Sequence, residues 1–145
     1  MSKSFRIILI IMVCFFSLGL SLNSKPIEVE ISKNKVETGE VFTYTVKIEG
    51  IFHKPHLTLP NFDDFKFVSQ NQSKSVSREK EGVKRIIILK YFLFAPKPGS
   101  FKIEPATLED KGKKYKSKAI SIKVKGKPLE EKRRIQPYID KGTNI

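Results

Sequence analysis

Every second residue from Phe42 to Ile48 is apolar, and the residues between them, Thr43, Thr45 and Lys47, are polar. A period of two fits a strand with one buried face. It does not fit a helix, whose apolar stripe recurs at every third or fourth position. The same alternation returns at Ile27, Val29 and Ile31, with Glu28 and Glu30 between them, and again at Ile120, Ile122 and Val124. Turn chemistry separates these runs: Glu37-Thr-Gly-Glu40, Gly50, Glu81-Gly82, Pro96-Lys-Pro-Gly99 and Asp110-Lys-Gly112.

The remaining segments fit the same pattern. Residues 55–60 read as an edge strand with Leu57 and Leu59 on one side, because proline cannot donate to a central ladder. Residues 65–69 form a short strand that is expected to point Phe65 and Phe67 inward. Residues 70–80 are polar and serine-rich, and they fit an edge strand folded across Glu81-Gly82 onto residues 85–94. Further strands are expected at 100–104 and 115–125. About seven strands with short turns and no amphipathic helix predict an all-β fold, an antiparallel two-sheet immunoglobulin-like sandwich, with a small barrel as the alternative. The Cys, Trp, Cys arrangement of antibody domains is absent, since the chain has one Cys and no Trp.

The amino terminus differs from the rest. Lys3 and Arg6 precede an apolar run from Ile7 to Phe16, and small residues follow at Gly19 and Ser21. This is the composition of a secretory leader, with cleavage expected after Ser21. An uncleaved anchor is the alternative, although the run is short of the roughly 20 residues that cross a bilayer. Cys14 would leave with the leader, and Val13 before it does not suit lipidation. The expected organisation is a signal peptide at 1–21, a β-sandwich domain at 22–125 and a charged tail at 126–145, exported and periplasmic or membrane-associated.

The formal net charge is +13, from 28 basic residues of which 23 are Lys. Arg is the side chain that forks onto phosphates and guanine edges, so a lysine-dominated balance argues against nucleic acid as a partner. Lysines on outward positions and strand edges keep a sheet protein soluble. Contact with a membrane surface or an anionic polymer is the other use of such a charge.

Catalytic and metal-binding patterns are not evident. His53 and His56 are the only histidines, with Asp63 and Asp64 following. A metal site needs at least three converging ligands, and Pro55 extends the segment between the two imidazoles, so loop histidines are expected and no cofactor. There is no Gly-x-Ser-x-Gly elbow and no Gly-rich phosphate loop. A small secreted hydrolase would require His53 or His56 to lie in a deep pocket beside a nucleophile. The unusual segment is 85–94. With Ile87, Leu89, Tyr91 and Leu93 on the core face, Ile86, Ile88, Phe92 and Phe94 form a second apolar stripe on the opposite face, interrupted by Lys90. An outward sheet face is normally polar, so this stripe is the candidate interaction surface unless the tail or the Ile51-Phe52 loop folds over it.

Taken in order, Val36-Glu-Thr-Gly-Glu40, Phe42-Thr-Tyr-Thr-Val46, Leu59-Pro60, Phe65-Lys-Phe-Val-Ser69, Tyr91-Phe-Leu93, Pro98-Gly-Ser-Phe-Lys-Ile103 and Gly112-Lys-Lys-Tyr-Lys-Ser117 resemble the amino-terminal domain of the BatD family of bacterial aerotolerance proteins. The resemblance spans residues 27–124. It implies a β-sandwich outside the cytoplasm and carries no catalytic residues. It also implies companions of the von Willebrand A type and a MoxR-type ATPase, in a system linked to oxygen tolerance or envelope stress. Family members continue through more domains to a carboxy-terminal transmembrane helix, whereas this sequence stops at Ile145. The expected function is non-catalytic protein–protein interaction at the bacterial envelope. The alternative is a secreted adhesin-like or anionic-polymer-binding module.

Overall fold

The computed structural model describes residues 25–130, and ten strands lie among the described residues. They are β1 (Ile27–Ile31), β2 (Lys35–Glu37), β3 (Phe42–Ile51), β4 (His56–Thr58), β5 (Lys66–Glu79), β6 (Gly82–Phe94), β7 (Gly99–Ile103), β8 (Thr107–Asp110), β9 (Lys113–Lys116) and β10 (Ile120–Lys125). The expected leader with its cut after Ser21, and residues 131–145 of the expected tail, fall outside this range. No helix among the described residues is long and apolar enough to cross a membrane.

One layer is a four-stranded antiparallel sheet in the order β1-β3-β6-β5. The other is built from two three-stranded pieces, β2-β10-β7 and β4-β8-β9. The inward residues of both layers meet in a single core. Val29, Phe42, Tyr44, Val46, Ile48 and Leu93 come from the first layer, and Val36, Ile103, Leu108, Ile122 and Val124 from the second. Phe65 ties the layers together, standing edge-on to Phe42 at 5.4 Å and to Phe101 at 5.5 Å. The two-layer sandwich is therefore the fold that forms, with one pairing, β2 on β10, running parallel.

The strand count exceeds seven because long hairpins are broken. The expected strand at 115–125 is two strands, β9 and β10, and its partner is likewise split into β7 and β8. The break lies where Pro105 has no N–H to give the ladder. There Ser117, buried, accepts the Ala106 N–H at its Oγ (2.9 Å), and its own N–H donates to the Ala106 carbonyl (2.9 Å). The chain can thus change direction without leaving those backbone groups unpaired. The β8–β9 hairpin closes on Lys111 and Gly112, both with positive φ (50° and 77°), as a type I′ turn requires.

A second correction concerns Phe67. Phe65 is buried, as expected, but Phe67 is 60% exposed. Phe65 precedes β5 and turns into the core, whereas Phe67 lies on β5 at the edge of the sheet, next to a bulge between Phe67 and Ser69. Alternation assigns a face, but it does not tell whether another layer covers that face. After β10 the chain stays attached for a few residues. The Thr38 hydroxyl donates to the Lys127 carbonyl, and the Leu129 N–H donates to the Pro96 carbonyl.

Candidate interaction face

β5 and β6 form a hairpin of 14- and 13-residue strands joined by Lys80-Glu81, longer than β3 beside them. All 14 residues of β5 are exposed; the short strand expected at 65–69 and the polar edge strand expected at 70–80 are one strand, on which Phe67, Val68 and Val76 are exposed apolar residues. β6 lies between β3 and β5, so its backbone is paired on both sides. Its side chains alternate across the sheet. Leu93 is buried and Ile87, Leu89 and Tyr91 pack against the core, whereas Ile86, Ile88, Phe92 and Phe94 are half-buried and stand on the other face, outside the core cluster.

The cross-strand register explains the half-burial. On the β3 side Ile86 is opposite Glu49, Ile88 opposite Lys47 and Phe92 opposite Thr43. On the β5 side the same residues are opposite Ser75, Ser73 and Ser69. Phe94 is opposite Lys66. Short serine side chains on the exposed edge and threonine on the inner strand leave the apolar side chains shielded at their flanks and open above. Phe52, expected as a possible cover for the stripe, instead belongs to the core, and the tail beyond residue 130, the other expected cover, lies outside the described residues. Beside Phe92 a shallow groove of about 440 Å³ runs past Thr43, Thr45 and Lys90 towards Glu30 and Ser32.

The far end of the face is charged. Glu49 accepts from Lys47 at 2.7 Å and from Lys84 at 2.9 Å, and Lys84 also reaches Glu79 at 3.8 Å. These hydrogen bonds, the one from Lys47 foremost, lower the Glu49 carboxyl to about 2, and both lysines are correspondingly raised. The network bridges β3 and β6 beside Ile86. It gives the apolar stripe a polar, charge-compensated border.

His53 and His56 do not converge. His56 is exposed on β4 opposite Glu109, and the His53 imidazole is mostly in solvent, with Nδ1 3.9 Å from Asp110. The important partner of this loop is Asp110, which sequence reasoning treated only as a turn residue. Its carboxylate accepts the Lys54 N–H at 2.8 Å and the His53 N–H at 3.2 Å, which lowers its pKa and ties the β3–β4 loop to the β8–β9 turn. Among the described residues no three His, Cys, Asp or Glu side chains gather as a metal site.

The arrangement is that of a β-sandwich domain, and among the described residues its distinctive features are its sheet faces. The sequence model of the BatD DUF11-like domain matches residues 29–124, and the chain belongs to that family. No curated protein matches it. Among solved structures it is similar to the N-terminal domain of the Streptococcus gordonii adhesin Sgo0707, at 11% identity and a TM-score of 0.51 over 71% of this chain. The chain spans only 33% of that adhesin structure. It is also similar to the cupredoxin domain of amoB from Nitrosocaldus yellowstonii, at 14% identity and a TM-score of 0.45, covering 74% of this chain and 92% of that one. At such identities the likeness to the adhesin domain is one of fold.

Proposed function

We propose that this domain is a non-catalytic interaction module of the bacterial envelope that docks a partner protein on the outward face of β6. One observation carries the reading. Ile86, Ile88, Phe92 and Phe94 are apolar and lie outside the core cluster, the first three have serines opposite them on β5, and Phe92 has Thr43 opposite it on β3, while Glu49, Lys47 and Lys66 border the rest. Contiguous apolar surface bordered by polar groups is how a soluble protein presents a docking surface. The exposed backbone edge of β5 gives a partner strand a place to add.

Membership of the BatD family supports a partner of the von Willebrand A type and a role in oxygen tolerance or envelope stress. Phe92→Thr with Phe94→Thr tests this. Both positions are half-buried, and threonine keeps the strand preference, so each change costs about 1 kcal/mol. The full chain carrying both changes, purified from its native envelope, should remain folded and lose the von Willebrand A-type protein that the unaltered chain retains. Undiminished recovery of that protein would overturn the reading. So would loss of the fold, because the stripe would then be core.

A further inference from the structure

The two outward faces of the sandwich differ in charge. On the β1-β3-β6-β5 face, Lys47 and Lys84 are paired with Glu49, and Glu28 and Glu30 lie outward on β1. The outward face of β2-β10-β7 is cationic. β10 alternates Ile120, Ile122 and Val124 into the core with Ser121, Lys123 and Lys125 outward. In register with it, Lys35 lies directly opposite Lys123, Ser100 lies opposite Lys123 on the other side, and Lys102 lies opposite Ser121. The acids here are Glu37, opposite Lys125, and Glu104, 3.2 Å from Lys102. Neither Lys35 nor Lys123 makes an ion pair among the described residues.

Edge protection does not explain Lys123 and Lys125, because β10 is the central strand of its sheet. Like charges placed directly opposite across a strand pair destabilise the sheet. A repulsive pair at a central position is relieved when an anion lies over it. Lys35, Lys123 and Lys102 spread over three strands, roughly 10 Å across at the usual strand spacing, with serines between them. A shallow depression of about 390 Å³ opens among these residues. A two-dimensional array of compact ammonium groups matches a planar array of phosphates. Phe101, which lines the depression, packs against the core and Phe65, and among the described residues of this face there is no guanidinium fork of the kind that reads nucleic acid.

We infer that the outward face of β2-β10-β7 docks on an anionic phospholipid bilayer, through Lys35, Lys102, Lys123 and Lys125. The face lies on the opposite layer from the β6 stripe, so one domain can rest on a membrane while presenting its apolar stripe away from it. The inference stands on charge placement alone and does not depend on what binds the stripe.

Vesicle co-sedimentation of the full chain tests it, comparing phosphatidylcholine vesicles with vesicles containing about one third phosphatidylglycerol at low and physiological ionic strength. Affinity for the amino-terminal apolar run contributes to both vesicle types, so the preference for anionic vesicles is the quantity read. Lys35→Gln, Lys102→Gln and Lys123→Gln together should reduce that preference by about 100-fold, because each lysine near an anionic surface contributes about a factor of five. Lys123→Gln alone should reduce it about fivefold, and salt should reduce it in the unaltered chain. The triple variant should melt no lower than the unaltered chain, since it loses a repulsive pair. Lys66→Gln, Lys74→Gln and Lys80→Gln, the same charge change on the β5 hairpin, should leave the preference within about twofold. Equal losses in the two triple variants would mean that net charge alone is responsible, and would overturn the inference. Displacement by soluble polyphosphate at a small fraction of the lipid phosphate concentration would also overturn it, in favour of a linear polyanion.

Discussion

Tyr44 provides the sharpest test of the core. It is fully buried on β3, with Phe62 edge-on at 5.3 Å, and Tyr91 is its cross-strand neighbour on β6. Its hydroxyl is shielded and meets no hydrogen-bonding group among the described residues. Burial, with a smaller contribution from Tyr91, raises the phenol from 10.0 to about 12. The folded pKa exceeds the unfolded one, so this contribution to stability is complete below pH 10 and is lost as the pH rises towards 12. In all the loss amounts to about 3 kcal/mol, reached only above pH 12, and roughly half of it has gone at pH 11. Tyr44→Phe removes the ionisation. It also removes a hydroxyl whose desolvation no protein group offsets, so the variant should be more stable at pH 8 by up to about 1 kcal/mol.

Urea unfolding followed by far-ultraviolet circular dichroism suits a protein without Trp. Lysine titration in this range is common to both proteins and cancels in the difference. The stability difference, variant minus unaltered chain, should therefore widen by about 1 kcal/mol between pH 8 and pH 11. A constant difference over that range would show that the phenol ionises as freely in the fold as in the unfolded chain. A loss of more than about 1 kcal/mol at pH 8 would show that the hydroxyl makes a hydrogen bond of its own.

Two further substitutions examine the loops. A Cβ at Gly50 would lie 2.8 Å from the Phe52 ring, so Gly50→Ala should cost about 1–3 kcal/mol in the unaltered chain and less in a Phe52→Leu background; equal costs in the two backgrounds would reject the contact. Asp110 has a lowered pKa because it accepts the Lys54 and His53 N–H groups, so its contribution is present above the ordinary carboxylate range and is lost as the pH falls; Asp110→Asn should lower the melting temperature at pH 7 and lose less than the unaltered chain on going to pH 3, whereas parallel losses would reject the tie.

Much of this architecture was legible because strands with one buried face repeat every two residues. Phe42, Tyr44 and Val46 are buried, as are Ile120, Ile122 and Val124, in the pattern the sequence displays. The β5–β6 hairpin was legible from Glu81-Gly82 and from the change from polar to apolar across it. The split of 115–125 was not, because its cause is the Ser117–Ala106 tie, a contact between residues eleven apart in the chain. Asp110 was hidden for the same reason: a carboxylate in an Asp-Lys-Gly turn looks like turn chemistry until a loop 56 residues earlier brings its N–H groups to it. The β6 stripe could be read as two-faced, but its half-burial depends on which neighbours flank it, and those follow from register. Lys35 and Lys123 belong to segments 88 residues apart, and only the parallel pairing of β2 with β10 makes them opposite each other.

That parallel pair also explains why the two faces differ. β2 is three residues long and joins the sheet through Val36, which is buried opposite Val124. Once that pair is fixed in the core, the period of two places Lys35 and Lys123 outward together. A one-residue slip of β2 would separate the lysines, but it would also take Val36 out of the core. The repulsion is therefore held in place by burial of one valine pair. Relieving it chemically at Lys123 leaves that burial intact, so a gain in melting temperature from Lys123→Gln alone would measure the cost the sheet carries for its cationic face.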